Sequence, residues 1–212
     1  MTPGAWALLG LAGLLAAGDW LAVARGSTGL EYVCKPGALV ALVGVAATLD
    51  PSYGDVRAWF VVALLLSLAG DVLLMLPSDR FVPGLASFLL AHLAYVVGLT
   101  RHGGSAAAVA IATIPVVAVA AFLGARFLRA ARAAGQQELV GPLVAYMAVI
   151  AAMVTCAVAS GVVLAAVGAV LFMASDALIA ETRFVGKRAR APVVIIVTYH
   201  LGQAGLTLSL VR

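Results

Sequence analysis

Apolar residues run along this chain in long uninterrupted blocks, without the alternation of a strand or the single stripe of a soluble helix. Each block is about 20 residues long, the length that crosses a bilayer as an α-helix. Eight such blocks begin near Ala5, Val33, Ala58, Phe81, Ala106, Leu139, Gly161 and Val193. The polar connections between them are short. The pattern therefore predicts an all-α integral membrane bundle of eight transmembrane helices, built as one domain over residues 1–212.

Composition agrees with that pattern. Hydrophobic residues make up 64% of the chain, charged residues 10%, and the mean hydropathy is +1.13, which excludes an ordinary soluble domain. Cys34 and Cys156 fall in or at the edge of spans, so neither a disulfide framework nor a Cys-rich metal site is available, and both read as packing residues. Ala22-Val23-Ala24 resembles a signal-cleavage site, but no basic region leads the first block and its apolar stretch is long. The sequence thus predicts that this helix is retained.

The net charge of +4 is a topological signal and does not suggest nucleic acid. The connections after helices one, three, five and seven hold Arg25, Lys35, Arg80, Arg126, Arg129, Arg132, Arg183, Lys187, Arg188 and Arg190, whereas the opposite side holds Arg57, Arg101 and Arg212. Basic residues accumulate on the cytoplasmic side of membrane proteins, so both termini are expected to face away from it. Arg126, Arg129 and Arg132 recur every third residue, either as part of that bias or as one side of a short interfacial helix facing lipid phosphates.

Laid against itself at half its length, the chain shows a weak internal match. Lys35-Pro36 lines up near Gly141-Pro142, Asp71 near Asp176, Arg80-Phe81-Val82 near Arg183-Phe184-Val185, and Tyr95 near Tyr199, at offsets of 103 to 106 residues. Four helices per half would enter the membrane in the same sense, so the expectation is a tandem parallel repeat over 1–105 and 106–212, related by an axis along the membrane normal.

Two aspartates interrupt the apolar blocks, in Ser67-Leu68-Ala69-Gly70-Asp71 and Phe172-Met173-Ala174-Ser175-Asp176. A carboxylate in a membrane helix costs roughly 2.5–3.5 kcal/mol even on lenient insertion scales, and such residues usually mark function. By helical rise, both lie a few residues from the cytoplasmic ends of helices three and seven. Lys35 enters helix two from the same side, and Asp19 lies near the inner end of helix one. Tyr146 and Tyr199 lie a turn or two inside helices six and eight, with His92 and Gln203 deeper. Ser67 and Asp71 are four residues apart, as are Tyr199 and Gln203, and His92 and Tyr95 are three apart, so each pair shares a helix face, with Phe88 extending the His92 stripe. Pro36 and Pro142 are expected near helix starts, and Gly70 permits close approach beside Asp71.

The ordered set Ser67-Leu68-Ala69-Gly70-Asp71-Val72-Leu73-Leu74-Met75, Arg80-Phe81-Val82-Pro83-Gly84-Leu85-Ala86-Ser87-Phe88 and His92-Leu93-Ala94-Tyr95 resembles the YhhN family of lysoplasmalogenases. Lys35-Pro36, Tyr146-Met147, Phe172 to Asp176 and Tyr199-His200-Leu201-Gly202-Gln203 follow in the same order, so the resemblance covers nearly the whole chain. It departs from the family pattern at Gly37, where a leucine often follows Lys-Pro, and at His200. The resemblance implies an eight-helix membrane enzyme that hydrolyses the vinyl ether of lysoplasmalogens to a fatty aldehyde and a glycerophospho head group, with no required metal. It carries the family's polar positions over to Lys35, Asp71, His92, Tyr146, Asp176, Tyr199 and Gln203.

The chemistry leads to the same place independently. A vinyl ether hydrolyses by protonation of its terminal alkene carbon, capture of the oxocarbenium ion by water, and collapse of the hemiacetal. Paired carboxyl groups in different protonation states solve the similar problem in glycosidases. Asp71 and Asp176 are accordingly expected as acid and ionised partner, in either order, with His92 relaying protons and Tyr146, Tyr199 and Gln203 orienting water and ether oxygen. Lys35 either holds one carboxylate charged or, with Arg80 or Arg183, meets the substrate phosphate. For each there is a structural alternative: interhelical hydrogen bonding for the aspartates, tyrosines and Gln203, packing for His92 and His200, and interfacial anchoring for Asp19 with Trp20.

Asp71, His92, Asp176 and His200 supply possible zinc ligands, but no tight ligand spacing supports a metal, and no cofactor is expected. The expected partners are a lysophospholipid substrate and membrane lipids, with the oligomeric state open. The rival classes are a proton-coupled transporter and a lipid-binding protein without turnover. The one-leaflet bias of the polar residues, and the lack of a span broken at its centre by Gly and Pro, count against the transporter.

Overall fold

The computed structural model describes residues 1–49, 54–78 and 80–211. Arg212, assigned by sequence to the non-cytoplasmic side, lies outside the described residues. The eight helices are α1 Pro3–Arg25, α2 Thr28–Thr48, α3 Gly54–Met75, α4 Phe81–Thr100, α5 Ala106–Ala133, α6 Val140–Ala159, α7 Val163–Ala180 and α8 Ala191–Leu208. All eight are long and apolar enough to span a membrane.

Local chemistry explains the ends. Thr2 caps α1 by accepting from the Ala5 amide at 3.1 Å, and Gly26, at φ +67°, closes it with its amide on the Ala22 and Val23 carbonyls. Ser105 caps α5 in the same way as Thr2 caps α1. The start of α2 differs from expectation. It begins at Thr28, before Val33, because Thr28, Gly29 and Glu31 are too polar to enter an apolar window yet continue the helix outside the apolar layer. Pro36 consequently lies inside α2, away from its start, whereas Pro142 does fall in the first turn of α6. The tyrosine hydroxyl of Tyr32 ties this early part of α2 to the last turn of α3 by donating to the Met75 carbonyl at 2.9 Å.

Neighbouring helices pair as hairpins, α1 with α2, α3 with α4, α5 with α6 and α7 with α8. The pairs join through α2 against α3 and α6 against α7, and the halves meet through α4 against α6, α2 against α8 and α1 against α8. α5 packs mainly on α6 and is largely lipid-facing, with Ile111, Ile114 and Phe122 all exposed. In a membrane, close packing and interhelical hydrogen bonds hold such helices together, because lipid is as apolar as the side chains. The α7–α8 crossing uses Gly168, Gly202 and Gly205, whose missing side chains let the two backbones touch.

The arginine repeat does not form a separate interfacial helix. Arg126, Arg129 and Arg132 lie in the last turns of the continuous α5, and Arg126 turns inward to Glu181. That glutamate opens a π-helical segment, Glu181–Val185, that prolongs α7. Arg126 grips it with two hydrogen bonds of 2.9 and 2.7 Å, and Arg188 adds one of 2.9 Å. Glu181→Gln is expected to loosen this segment with only about 1 kcal/mol of lost stability, since the arginines are partly exposed, measurable as a small drop in thermal midpoint.

Candidate active site

Asp71 sits one turn from the end of α3, with Gly70 beside it. Phe88 of α4 packs where a Gly70 side chain would stand, so the glycine brings α3 and α4 close and seals the carboxylate in. Asp71 is 2% exposed. Its Oδ1 lies 3.3 Å from the Lys35 ammonium of α2, and its Oδ2 accepts a 2.5 Å hydrogen bond from the Tyr199 hydroxyl of α8. Three helices therefore converge on one carboxylate. Tyr199→Phe is expected to lower kcat about tenfold by removing the donor, with KM little changed, in steady-state assays.

Asp176 occupies the corresponding place in α7. Its Oδ2 accepts a 2.6 Å hydrogen bond from Tyr146 of α6 and lies 3.4 Å from His92 Nε2 of α4. His92 Nδ1 is 2.5 Å from the Phe88 carbonyl, which can only accept, so the ring proton of the neutral imidazole stands on Nδ1. Nε2 then presents a lone pair to Asp176. At 3.4 Å the two atoms stand just beyond hydrogen-bond length, and a proton on Asp176 directed at this lone pair avoids placing two charges in apolar surroundings.

Between the partners of the two aspartates lies an aromatic cluster centred on Phe172, whose ring is 4.6 Å from His92, 5.4 Å from Tyr199 and 6.1 Å from Phe88. Phe172 stands one turn before Asp176, and that spacing was the available signal for its place in the site.

Two chambers adjoin the cluster. The first is apolar, lined by residues of α3 to α7 and the π-helical segment, among them Leu85, Leu123, Ile150 and Met173, with Asp176 and Tyr146 on its wall. The second has largely apolar walls but carries the charged residues Glu31, Lys35, Arg183, Lys187 and Arg188, a basic excess. Leu74, Phe81 and Ile179 line both and form the partition. Phe81 packs edge-on against Phe184 at 6.0 Å, and the Arg183 guanidinium lies over its ring at 4.7 Å. Asp71 lines neither chamber.

The structure thus brings Lys35, Asp71 and Tyr199 together, and Tyr146, Asp176 and His92 together, with Arg183 on the basic chamber. Gln203 is sealed away with no exposed surface and accepts from Tyr95 at 2.6 Å. Arg80 precedes α4, bonds Ser78 at 3.2 Å, and is absent from the lining of either chamber. The anchoring expectation for Asp19 is corrected: it has no exposed surface, because α1 packs against both α2 and α8 at that level. Its carboxylate lies 4.0 Å from His200, which accepts from the Trp20 indole at 3.1 Å. Among the described residues no group of three or more potential metal ligands clusters.

The YhhN family model matches residues 30–210. A protein of Mycobacterium tuberculosis named lysoplasmalogenase is 34% identical over 196 residues, spanning 86% of this chain and 74% of its own, and one of Mycobacterium bovis matches to the same extent. Human lysoplasmalogenase TMEM86B is 31% identical over 179 residues, spanning 84% of this chain and 74% of its own. No solved structure matches the chain.

Proposed function

The chain belongs to the YhhN family, and on that premise we propose that it is a membrane hydrolase cleaving the vinyl ether bond of lysoplasmalogen-type lysophospholipids. The observation that carries this reading is the pairing of an apolar chamber, with Asp176 on its wall, and a basic chamber across a thin partition. A lysophospholipid has one apolar chain and one phosphate head, joined near the ether. With the chain in the apolar chamber and the phosphate against Lys187 and Arg183, the ether bond lies at the partition, with Asp176 on the chamber wall and Asp71 outside both chambers.

Asp176 is the acid in this mechanism. Its O–H bond breaks as the alkene π pair takes the proton to form a new C–H bond, leaving an oxocarbenium ion and a carboxylate that Tyr146 stabilises. Asp71, paired with Lys35, supports the cation. Each of its oxygens accepts one hydrogen bond and keeps a further lone pair for water. Water adds to the cationic carbon and gives a proton to Asp71. As the hemiacetal C–O bond to glycerol breaks, Asp71 gives the proton it took from water to the glycerol oxygen and the hemiacetal hydroxyl proton leaves to the lone pair of His92 Nε2, releasing alcohol and aldehyde. His92 passes that proton on to Asp176, so both carboxyl groups return to their starting states.

The head-group assignment has a kinetic signature. Lys187→Ala and Arg183→Ala should each raise KM about tenfold or more by removing a charged contact to phosphate, while kcat stays within about twofold. The basic residues gather at the end where the basic chamber opens, which supports an orientation with that mouth at the cytoplasmic leaflet and both termini opposite. A cysteine in place of Lys187 should react with an impermeant thiol reagent only from the cytoplasmic side.

The direct test is aldehyde release from a lysoplasmenyl lipid by detergent-purified protein in excess chelator. Release that persists in chelator supports the two-carboxylate hydrolase. Folded protein that releases none would leave a transporter or a lipid-binding protein as the better account.

A further inference from the structure

Asp19 and His200 lie outside the chemistry just described, and their surroundings are unsatisfied. Among the described residues neither Asp19 oxygen meets a hydrogen-bond donor, although the residue has no exposed surface. A buried carboxylate without a donor is a costly arrangement. His200 is 3% exposed, and its Nε2 is also without a partner. The Trp20 indole can only donate, and it donates to His200 Nδ1, so the proton of the neutral imidazole stands on Nε2. Nε2 lies 4.0 Å from Asp19 Oδ2, too far for a direct hydrogen bond. One water accepting from Nε2–H and donating to Oδ2, with legs of about 2.8 Å, spans that gap once α1 and α8 part enough to admit it, since these atoms are sealed from solvent.

The position of the pair gives such a water a use. Asp19 is on α1, and His200 follows Tyr199, the residue that holds Asp71. Lys35 pairs with Asp71, and the Tyr199 and His200 rings lie 5.5 Å apart. Cys34 lies against Gly18 on the same side. A bound lysolipid fills the apolar chamber with its chain and the basic chamber with its head, yet hydrolysis consumes water after binding. Asp71, which lines neither chamber, meets this α1–α8 side of the bundle through Lys35 and Tyr199.

We propose that Asp19 and His200 form a water-binding site behind the Lys35–Asp71 pair, from which the hydrolytic water reaches Asp71. The inference rests on the hydrolase reading, but the site itself is testable without turnover. In it Asp19 and His200 are positioning residues: the water's proton goes to Asp71 and its oxygen to the oxocarbenium carbon.

The first measurement is radiolytic hydroxyl footprinting of the detergent-purified protein, which oxidises side chains beside bound water even when they are buried. His200 and Cys34 should label well above the fully buried Met153, and His200 labelling should fall severalfold in Asp19→Leu. The second is kinetic. Asp19→Leu and His200→Phe should lower kcat about tenfold or more with KM unchanged. In methanol–water mixtures they should send a larger share of product to the methyl acetal, because an oxocarbenium ion deprived of its stored water waits for a nucleophile from solution.

Asp19→Asn, which keeps a polar group for water, should fall between wild type and Asp19→Leu, and it serves if the leucine variant does not fold. A dry His200 in wild type overturns the site. Wild-type kcat and acetal fraction in folded Asp19→Leu overturn its role. No aldehyde from wild type removes the hydrolase reading and the water's role with it, while the footprint still decides whether the site exists.

Discussion

Asp176→Asn is expected to lower aldehyde release by about 10²–10⁴-fold with KM little changed, the usual scale for loss of a general acid. The substitution is close to isosteric. Both contacts fall on one oxygen, Oδ2, so the amide keeps one of them: its oxygen there still accepts from Tyr146, or its N–H₂ there donates to His92 Nε2. What is lost is a proton acidic enough to be given to carbon, and no neighbouring group replaces it, since Tyr146 is far less acidic and His92 presents a lone pair. Asp71→Asn should have an effect of the same order for a different reason: it removes the charge that supports the cation and leaves the Lys35 ammonium unpaired in the site. Steady-state kinetics on variants with wild-type thermal midpoints check both. A variant that retains lipid binding without turnover identifies an enzyme, whereas loss of proton-coupled uptake would identify a carrier.

Gly168→Ala should be the most damaging small substitution in the bundle. A Cβ at this position would stand 2.6 Å from the Leu206 amide nitrogen and 2.8 Å from the Gly202 carbonyl oxygen, both backbone atoms that cannot turn aside. The same crossing would resist Gly202→Ala, whose Cβ would meet the Phe172 nitrogen at 2.9 Å. α7 must then move away from α8, at about 1–3 kcal/mol or more for overpacking. That movement also carries Phe172 and Asp176 on one helix away from Tyr199 on the other, so activity should fall further than stability alone requires. Gly141→Ala, with open space around its Cβ, is the matched control and should change neither thermal midpoint nor rate.

The sequence made the spans legible because apolar length alone defines them, and α4 and α5 begin at the expected Phe81 and Ala106. It misplaced the start of α2, where polar residues continue a helix beyond the apolar layer. Helical spacing showed which residues share a face, as with Tyr199 and Gln203, but carries no information on which face meets which helix. The pairings of Tyr199 with Asp71, Tyr146 with Asp176 and Lys35 with Asp71 therefore needed the fold. Asp19 was hidden by its neighbour: an acid beside a tryptophan near a helix end reads as an interface anchor until α1 is seen packed against α8. Arg80 and Arg183 looked equivalent by position, yet only Arg183, carried on the π-helical segment, turns onto the basic chamber. The internal repeat remains a proposal, and the contact between the matched residues Phe81 and Phe184 favours it.

The central claim is that Asp176 gives a proton to carbon, and the isotopic composition of the product tests it most directly. Turnover of a lysoplasmenyl lipid in D₂O, with the aldehyde trapped by reduction as it forms, should yield product carrying one deuterium on the carbon next to the former carbonyl. Aldehyde formed without that deuterium would contradict protonation of the alkene and with it the acid role of Asp176.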